Sequence, residues 1–152
     1  NVPVLRVDER LIRQALINII SNAVKYSPEG SSIVITAEFK RNEDLVVVIK
    51  DNGQGIPESK MAYVLQPFGR VEDAFKKKSD VEGTGLGLPI AKGMIELHGG
   101  SLEIESEENI GTSVIITIPE YRIVKNKKTG SFTNFTFEAP AQSSSEKTSL
   151  AQ

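Results

Sequence analysis

The chain has 152 residues, of which 39% are hydrophobic, and this is enough for one domain with a buried core. Its 18 basic and 20 acidic side chains give a net charge of −2, which does not favour nucleic acid as a partner. The sequence contains no cysteine, so disulfides and thiolate metal sites are excluded. No apolar run approaches the roughly 20 residues of a membrane-spanning helix, and we expect no direct membrane contact. The start at Asn1, without methionine, indicates a segment of a longer protein.

The spacing of apolar side chains is helical from Leu11 to Tyr26, and it predicts a long helix with Asp8 as its N-cap and Glu9 in its first turn. Its apolar face carries Ile12, Ala15, Leu16, Ile19, Ile20 and Ala23. Its polar flank carries, at helical spacing, Asn18, Asn22, Lys25 and Tyr26. Because asparagine is a poor helix former, this flank is typical either of a solvated stripe or of a functional row. In a functional row, amide oxygens would bind Mg²⁺ and the ammonium would bind phosphate.

Two runs rich in β-branched residues, 33–39 and 45–49, predict an antiparallel hairpin with a polar loop between them. The second run leads into a loop that reads Asp51-Asn52-Gly53-Gln54-Gly55-Ile56-Pro57. Asn-Gly ordinarily marks a two-residue hairpin turn, but a short helical stretch from Glu58 to Leu65 follows instead of a strand. We therefore interpret 51–57 as a loop at a strand end, with the Asp51 carboxylate at its mouth.

The stretch 66–84 has no clear periodicity, and a loop of this length in a compact domain is usually functional or mobile. It leads into three glycines at alternate positions, Gly83, Gly85 and Gly87, and then into a helical pattern. Glycine lets a ligand approach the backbone, and the N-terminus of a helix binds phosphate well. The run predicts either a phosphate-binding loop or a flexible loop that only caps the helix.

Two further strands are expected at 101–105 and 112–118, after Gly99-Gly100 ends the predicted helix. The composition changes beyond Pro119. We expect residues 121–138 to form a C-terminal extension whose phenylalanines, Phe132, Phe135 and Phe137, belong to an added strand. Residues 139–152 are mostly Ser, Ala, Gln and Glu, so we expect a disordered tail.

Four segments, in this order and spacing, resemble the motifs of the ATP-binding catalytic domain of bacterial sensor histidine kinases. The wider superfamily includes gyrases, heat-shock chaperones and mismatch-repair ATPases. The asparagine helix is similar to the N box, 51–57 to the first glycine box, Phe68 to the F box and 83–88 to the second glycine box. The resemblance covers residues 4–119 and implies a catalytic domain at 1–120. It implies an α/β two-layer sandwich of the Bergerat type, with a mixed, mostly antiparallel sheet of about five strands, three helices on one face and a flexible ATP lid.

The resemblance also implies roles for individual residues around Mg-ATP. Asn22, with Asn18, would hold Mg²⁺ between the phosphates, and Lys25 would contact a phosphate. Tyr26 would pack near the ribose and adenine, and Asp51 would accept a hydrogen bond from the adenine amino group. The other positions placed around the nucleotide are Gly53, Gly55, Ile56, Phe68, Arg70, Gly83, Thr84, Gly85, Leu86, Gly87 and Leu88.

Several of these positions have a more specific implied role. Gly53 and Gly55 would let the purine lie close to the backbone. Backbone N–H groups of 83–87 would bind the phosphates as the lid closes, and Arg70 would add charge at the γ-phosphate. Such a site suits phosphoryl transfer, which needs positioning and charge neutralisation more than covalent chemistry from the protein.

One position separates kinases from ATPases in this superfamily. Members that hydrolyse ATP carry a glutamate, one helical turn before the Mg²⁺ asparagine, which activates water. That position is Asn18 here, and an amide cannot serve as a general base. The resemblance therefore implies a protein-histidine kinase whose phosphoacceptor histidine lies on a separate domain. The single histidine of this chain, His98, is expected to be structural or solvent-facing.

The implied partners are the dimerisation and phosphoacceptor domain of the same kinase and the receiver domain of a response regulator. We expect a cytoplasmic location, with a parent protein that could be anchored to the inner membrane. Two alternatives stay open: an ATPase, and a nucleotide-binding regulatory or scaffold module without transfer activity.

Overall fold

In the computed structural model, helix α1 (Glu9–Tyr26) begins directly after Asp8, as the sequence predicts. The Asp8 carboxylate caps the helix by accepting hydrogen bonds from two backbone N–H groups of the first turn, at 2.9 and 3.4 Å. The helix ends because Pro28 disfavours helical backbone in the residue before it. Ser27 is accordingly extended, with φ −93° and ψ 143°.

The structure describes residues 4–66, 86–124 and 135–140. The other elements are β1 (Val4–Leu5), β2 (Ser32–Phe39), β3 (Leu45–Asp51), α2 (Glu58–Val64), α3 (Gly87–Glu96), β4 (Ser101–Glu107), β5 (Gly111–Ile118), β6 (Ile123–Val124) and β7 (Phe135–Pro140). A 3₁₀ turn at Glu120–Arg122 precedes β6. The helices and strands predicted between residues 9 and 118 are present, and their ends lie within two residues of the sequence-based bounds.

Five strands form one sheet in the order β4-β5-β3-β2-β7. The α/β two-layer sandwich that the sequence predicts is therefore confirmed. All pairings of this sheet in the described ranges are antiparallel, where the resemblance implied a mixed, mostly antiparallel sheet. Strands β1 and β6 pair in a separate two-stranded ribbon.

Helices α1 and α3 contribute to one hydrophobic core over a single face of the sheet. Ile19 of α1 and Ile95 of α3 meet Ile49 of β3 and Ile116 of β5 in one buried cluster. Burial of each such side chain contributes about 1.5–3 kcal/mol to the free energy of unfolding. Asp51 follows Ile49 by two residues and therefore lies on the same face of the sheet. The core thus holds α1, α3 and the end of β3 in place.

The C-terminal strand β7 adds to β2 at the edge of the sheet, with Phe137 opposite Ile35. It includes Ala139 and Pro140, two residues that the sequence assigned to the tail. Residues 141–152 and Phe132 lie outside the described residues. None of the helices in the described ranges is long and apolar enough to cross a lipid bilayer.

Candidate functional site

Asp51 lies at the end of β3, and the residue is only 6% exposed. Its Oδ1 atom accepts hydrogen bonds from the backbone N–H groups of Gly53 (2.8 Å) and Thr112 (3.3 Å). Its Oδ2 atom has no hydrogen-bond partner among the described residues. Burial raises the pKa of the Asp51 carboxyl above its ordinary value, and the two N–H donors act in the opposite direction. The site therefore presents one acceptor, Oδ2, to a ligand that can donate a hydrogen bond.

The loop after Asp51 is tied to the end of α1. The N–H of Gln54 donates a hydrogen bond to the carbonyl oxygen of Tyr26, at 3.1 Å. A Cβ atom at Gly53 would overlap that same oxygen. Glycine at this position therefore lets the loop pack against the helix, and its role toward a purine stays a prediction.

The same loop is also tied to the turn between β4 and β5. The N–H of Asn109 donates to the carbonyl oxygen of Gln54, at 2.7 Å. Gly55 has φ +66°, and a Cβ atom there would overlap the carbonyl oxygen of Glu107. Both the backbone conformation and the close approach require glycine. Gly55 therefore brings two backbone segments together, and its predicted contact with a purine stays a prediction.

The hydroxyl of Ser106 joins this loop to the hairpin of β4 and β5. Its Oγ accepts from the N–H of Ile56 (2.9 Å) and donates to the carbonyl oxygen of Gly111 (2.9 Å). Thr112 Oγ1 lies 2.8 Å from the same oxygen. Because the Ser106 proton is used on Gly111, the Thr112 hydroxyl is the donor of that third bond. These bonds place Ile56 at the edge of the site.

Ser106 and Thr112 are site residues that sequence reasoning missed. They become neighbours of Asp51 only through the sheet register, in which Asp51 pairs with Thr112 and Thr112 pairs with Ser106. The signal in the sequence is weak: two hydroxyl residues near the turn between two predicted strands. Without the order of the strands, nothing connects them to the carboxylate.

Asn18 and Asn22 of α1 lie beside Gly87, the first residue of α3. Asn18 Nδ2 donates to the carbonyl oxygen of Gly87 (3.3 Å), and Asn18 Oδ1 accepts from Gln14 Nε2 (3.0 Å). A Cβ atom on Gly87 would lie 3.7 Å from Asn22 Nδ2, which is ordinary van der Waals contact. The Asn22 amide itself has no hydrogen-bond partner in the described part of the chain. Of the two asparagines, Asn22 thus has the amide oxygen with both lone pairs available to a hard cation.

The first turn of α3 provides backbone donors on the same side. The N–H groups of Gly87 and Leu88 have no partner in residues 4–66, 86–124 and 135–140, and Pro89 has no N–H. The first bond of the helix runs from the N–H of Ile90 to the carbonyl oxygen of Leu86, at 3.0 Å. The Leu88 side chain packs against the core, so its backbone is the part that a ligand would meet. Two N–H groups and the positive end of the helix dipole favour an anion here.

Lys25 and Tyr26 lie at the C-terminal end of α1, between these two parts of the site. Lys25 Nζ is 5.6 Å from the centroid of the Tyr26 ring, a distance that allows a cation–π contact. Tyr26 is 37% exposed as a residue, and its carbonyl oxygen accepts the hydrogen bond from the loop after Asp51. Helix α1 thus connects the carboxylate end of the site with the asparagine end. The remaining predicted positions, Phe68, Arg70, Gly83, Thr84 and Gly85, lie outside the described residues.

His98 lies away from these groups, after the end of α3, and is 6% exposed. Its Nδ1 is 2.7 Å from the carbonyl oxygen of Met94, so this nitrogen carries the proton and donates it. Its Nε2 accepts a hydrogen bond from the N–H of Asp8, at 3.0 Å. Both ring nitrogens are therefore used to join the end of α3 to the start of α1, and the structure gives His98 the structural role that the sequence favoured.

The chain is similar in sequence to known proteins. Residues 7–122 match the model of a family described as histidine kinase-, DNA gyrase B- and HSP90-like ATPases. The chain is 42% identical over 116 residues to the sensor histidine kinase WalK of Bacillus subtilis, a match that covers 76% of the chain and 19% of WalK. The chain therefore spans about a fifth of the length of this curated relative.

Solved structures of histidine kinases have a similar fold. One structure of the catalytic domain of histidine kinase ThkA superposes with a TM-score of 0.60 and 35% identity, covering 75% of this chain and 70% of that domain. Full-length ShkA in complex with AMPPNP superposes with a TM-score of 0.64 and 25% identity, covering 78% of this chain and 23% of ShkA.

Proposed function

We propose a phosphotransfer function for this chain, which belongs to the family of histidine kinase-, DNA gyrase B- and HSP90-like ATPases. It is the ATP-binding catalytic domain of a sensor histidine kinase. It would bind Mg-ATP and transfer the γ-phosphoryl group to a histidine on the dimerisation and phosphoacceptor domain of the same kinase. The receiver domain of a response regulator would then accept the group. We place this activity in the cytoplasm, where ATP is available.

The observation that carries the proposal is the hydrogen bonding of the Asp51 carboxylate. One oxygen accepts bonds from the protein backbone, and the other is available to a ligand. Oδ1 is held by the N–H groups of Gly53 and Thr112, so the direction of Oδ2 is set before a ligand arrives. A buried acceptor of this kind suits the exocyclic amino group of adenine. Guanine has a carbonyl oxygen at the corresponding ring position, and two acceptors facing each other would lower its affinity.

The asparagine end of the site suits the phosphates and their metal ion. Asn22 offers one amide oxygen, and Mg²⁺ is commonly bound by one or two protein oxygens together with substrate phosphates. No cluster of three His, Cys, Asp or Glu side chains that could hold a metal occurs in the described ranges. A bound Mg²⁺ would neutralise phosphate charge during transfer. Gly87 and Leu88 would contribute backbone N–H donors, and Lys25 an ammonium, to the same phosphates.

The residue at position 18 favours transfer over hydrolysis, because superfamily members that hydrolyse ATP carry a glutamate at this position. A water molecule beside the γ-phosphate needs a general base, and the Asn18 amide cannot accept its proton. In transfer, the acceptor imidazole attacks the γ-phosphorus, an N–P bond forms, and the bond to the β-bridging oxygen breaks so that ADP leaves. The described residues of this chain position the nucleotide, while the nucleophile comes from the partner domain.

Calorimetric titration tests the nucleotide site. We expect a non-hydrolysable ATP analogue to bind more tightly with Mg²⁺ than without it, and the corresponding GTP analogue to bind at least tenfold more weakly. Equal affinity for the two bases would contradict the role of Asp51. No binding at millimolar ligand would contradict the proposed function and favour a scaffold module without nucleotide.

A second measurement tests transfer. The chain is mixed with radiolabelled ATP, Mg²⁺ and the phosphoacceptor domain of its parent kinase. We expect acid-labile label on the acceptor and none on a variant acceptor that lacks the histidine. Release of inorganic phosphate at the same rate without the acceptor would instead identify an ATPase.

A further inference from the structure

A row of two side chains on α1 holds the first residue of α3. Gln14 Nε2 lies 3.0 Å from Asn18 Oδ1, and Asn18 Nδ2 lies 3.3 Å from the carbonyl oxygen of Gly87. The carbonyl of Gly87 can only accept, so the Asn18 atom that faces it must be the NH₂ group. The Asn18 oxygen then faces Gln14, which must present its own NH₂ group. The orientation of each amide is therefore set by the next one along the row.

Because of this row, Asn18 and Asn22 differ in their hydrogen bonding. The Asn18 oxygen accepts from Gln14 with one of its two lone pairs, and the NH₂ group donates to Gly87, so protein groups alone orient this amide. The Asn22 amide, one turn later, has no partner within the described ranges. Gly87 lies against both side chains, since a Cβ atom on it would be 3.9 Å from Asn18 Cβ and 3.7 Å from Asn22 Nδ2. The position of Gly87 therefore depends on its hydrogen bond with Asn18. Because α3 begins at Gly87, that bond also sets the distance from Asn22 to the first N–H groups of α3.

We propose that Gln14 and Asn18 are positioning residues, which hold the first turn of α3 at the correct distance from Asn22, and that Asn18 is not a metal ligand. This revises the role that the resemblance implied for Asn18. It rests on the proposed function, in which Gly87 and Leu88 bind phosphate and Asn22 binds Mg²⁺. Gln14 is an exposed residue of α1 to which the resemblance assigned no role, and the structure connects it to the site.

The two candidate roles of Asn18, positioning residue and metal ligand, predict different effects of Mg²⁺ on nucleotide affinity. A positioning residue sets the backbone donors, which bind phosphate whether or not a metal is present. Its loss should therefore weaken ATP binding with Mg²⁺ and ADP binding without Mg²⁺ by similar factors. A metal ligand acts only through the ion. Its loss should reduce the gain in ATP affinity that Mg²⁺ produces.

The experiment is a calorimetric titration of variants with the ATP analogue, with and without Mg²⁺, and with metal-free ADP. We expect Asn18→Ala and Gln14→Met to weaken all three affinities, each by about two- to tenfold, the effect of one neutral hydrogen bond. The ratio of ATP affinities with and without Mg²⁺ should be that of the wild type. Asn22→Ala should bring this ratio close to one. A ratio near one for Asn18→Ala, or wild-type affinities for Gln14→Met, would overturn the proposal.

Matched variants separate the hydrogen bond from other effects. Gln14→Lys keeps a donor that can reach Asn18 Oδ1, and it should restore the affinity that Gln14→Met loses. Because lysine also adds charge, it is compared with Ile17→Lys on the same helix. Ile17→Met places the same new side chain at the neighbouring exposed position, and it should bind as the wild type does. The donor role of Gln14 is wrong if Gln14→Lys binds nucleotide as weakly as Gln14→Met does. It is also wrong if Gln14→Lys gains no more affinity over Gln14→Met than Ile17→Lys gains over Ile17→Met.

Amide hydrogen exchange of the free chain gives a readout that does not need nucleotide. In Gln14→Met and Asn18→Ala, the amide of Ile90, which makes the first hydrogen bond of α3, should exchange faster, while the amides of β3 keep their wild-type rates. Unchanged exchange at α3 in both variants would contradict the positioning role. Failure of the proposed function is recognised separately, because then the wild type itself would not bind Mg-ATP.

Discussion

The carboxylate of Asp51 accepts a hydrogen bond at 3.3 Å from the backbone N–H of Thr112, a residue 61 positions later in the chain. The two residues are direct partners in the register of β3 and β5. The orientation of the carboxylate is thus set by the pairing of two strands. Any change that shifts this register would move the group that we assign to adenine recognition.

Replacing Asp51 by asparagine should weaken binding of the ATP analogue and stabilise the free fold. The amide oxygen can still accept from Gly53 and Thr112, but an NH₂ group would then face the adenine amino group. We expect a loss in binding of about 1–3 kcal/mol. The free fold should gain stability because the variant does not bury a carboxylate. Titration calorimetry and thermal unfolding of the same preparations measure the two effects.

The stabilising effect of Asp51→Asn should depend on pH. Burial raises the pKa of Asp51 above its ordinary value of 3.8, so the folded chain holds this proton more tightly than the unfolded chain. The stability that this group contributes is complete below that ordinary value and is lost as pH rises through the raised pKa. The difference in Tm between variant and wild type should therefore grow with pH from about 4 upward. A difference that is the same at every pH would contradict this account.

Gly55→Ala and Gly93→Ala should change stability in opposite directions. Gly55 has φ +66°, and a Cβ atom there would overlap the carbonyl oxygen of Glu107, so alanine should cost about 3 kcal/mol or more. Gly93 lies inside α3 with nothing within 4 Å of the added methyl group, and alanine there should stabilise by up to about 1 kcal/mol. Urea unfolding measures both values, and a Gly55→Ala variant of wild-type stability would refute the packing argument.

Removing the Ser106 hydroxyl should loosen the loop that follows Asp51. Ser106→Ala leaves the N–H of Ile56 and the hydroxyl of Thr112 without their acceptor. We expect a loss of about 1–2 kcal/mol in the free energy of unfolding and weaker nucleotide binding. Ser113→Ala is the control, because Ser113 points to the opposite face of β5 and should change neither quantity appreciably. Equal effects of the two substitutions would show that the hydrogen bonds of Ser106 are not what holds the loop after Asp51.

His98 should not be phosphorylated when this chain is incubated alone with Mg-ATP. The ring is buried, and its two nitrogens are bonded to Met94 and Asp8. Its role is instead to join two helix ends, so His98→Ala should lower the free energy of unfolding by about 2 kcal/mol or more. Mass spectrometry under conditions that preserve phosphohistidine, together with urea unfolding, checks both statements. Stable phosphohistidine on this chain would disprove the first.

Much of the local structure could be predicted from the sequence because its signals are short in range. The limits of α1 follow from the Asp8 cap, the apolar periodicity and Pro28. The place of Asp51 at a strand end follows from the glycine loop after it. The roles of Gly53 and Gly55 could not be predicted in full, because the backbone that they contact lies elsewhere in the chain.

By itself, the sequence determined where the helices and strands begin and end and which residues lie at those ends. Caps, apolar periodicity and turn residues are local signals, which span only a few positions. Only the tertiary structure decided which of these residues meet. Asp51 and Thr112 meet through strand register, and Gln14, Asn18 and Gly87 meet because α1 lies beside α3. Such contacts depend on the packing of the shared core, in which residues distant along the chain bury the same apolar surface. For this reason Asn18 and Asn22, which share one flank of the predicted helix, have different hydrogen-bond partners in the fold.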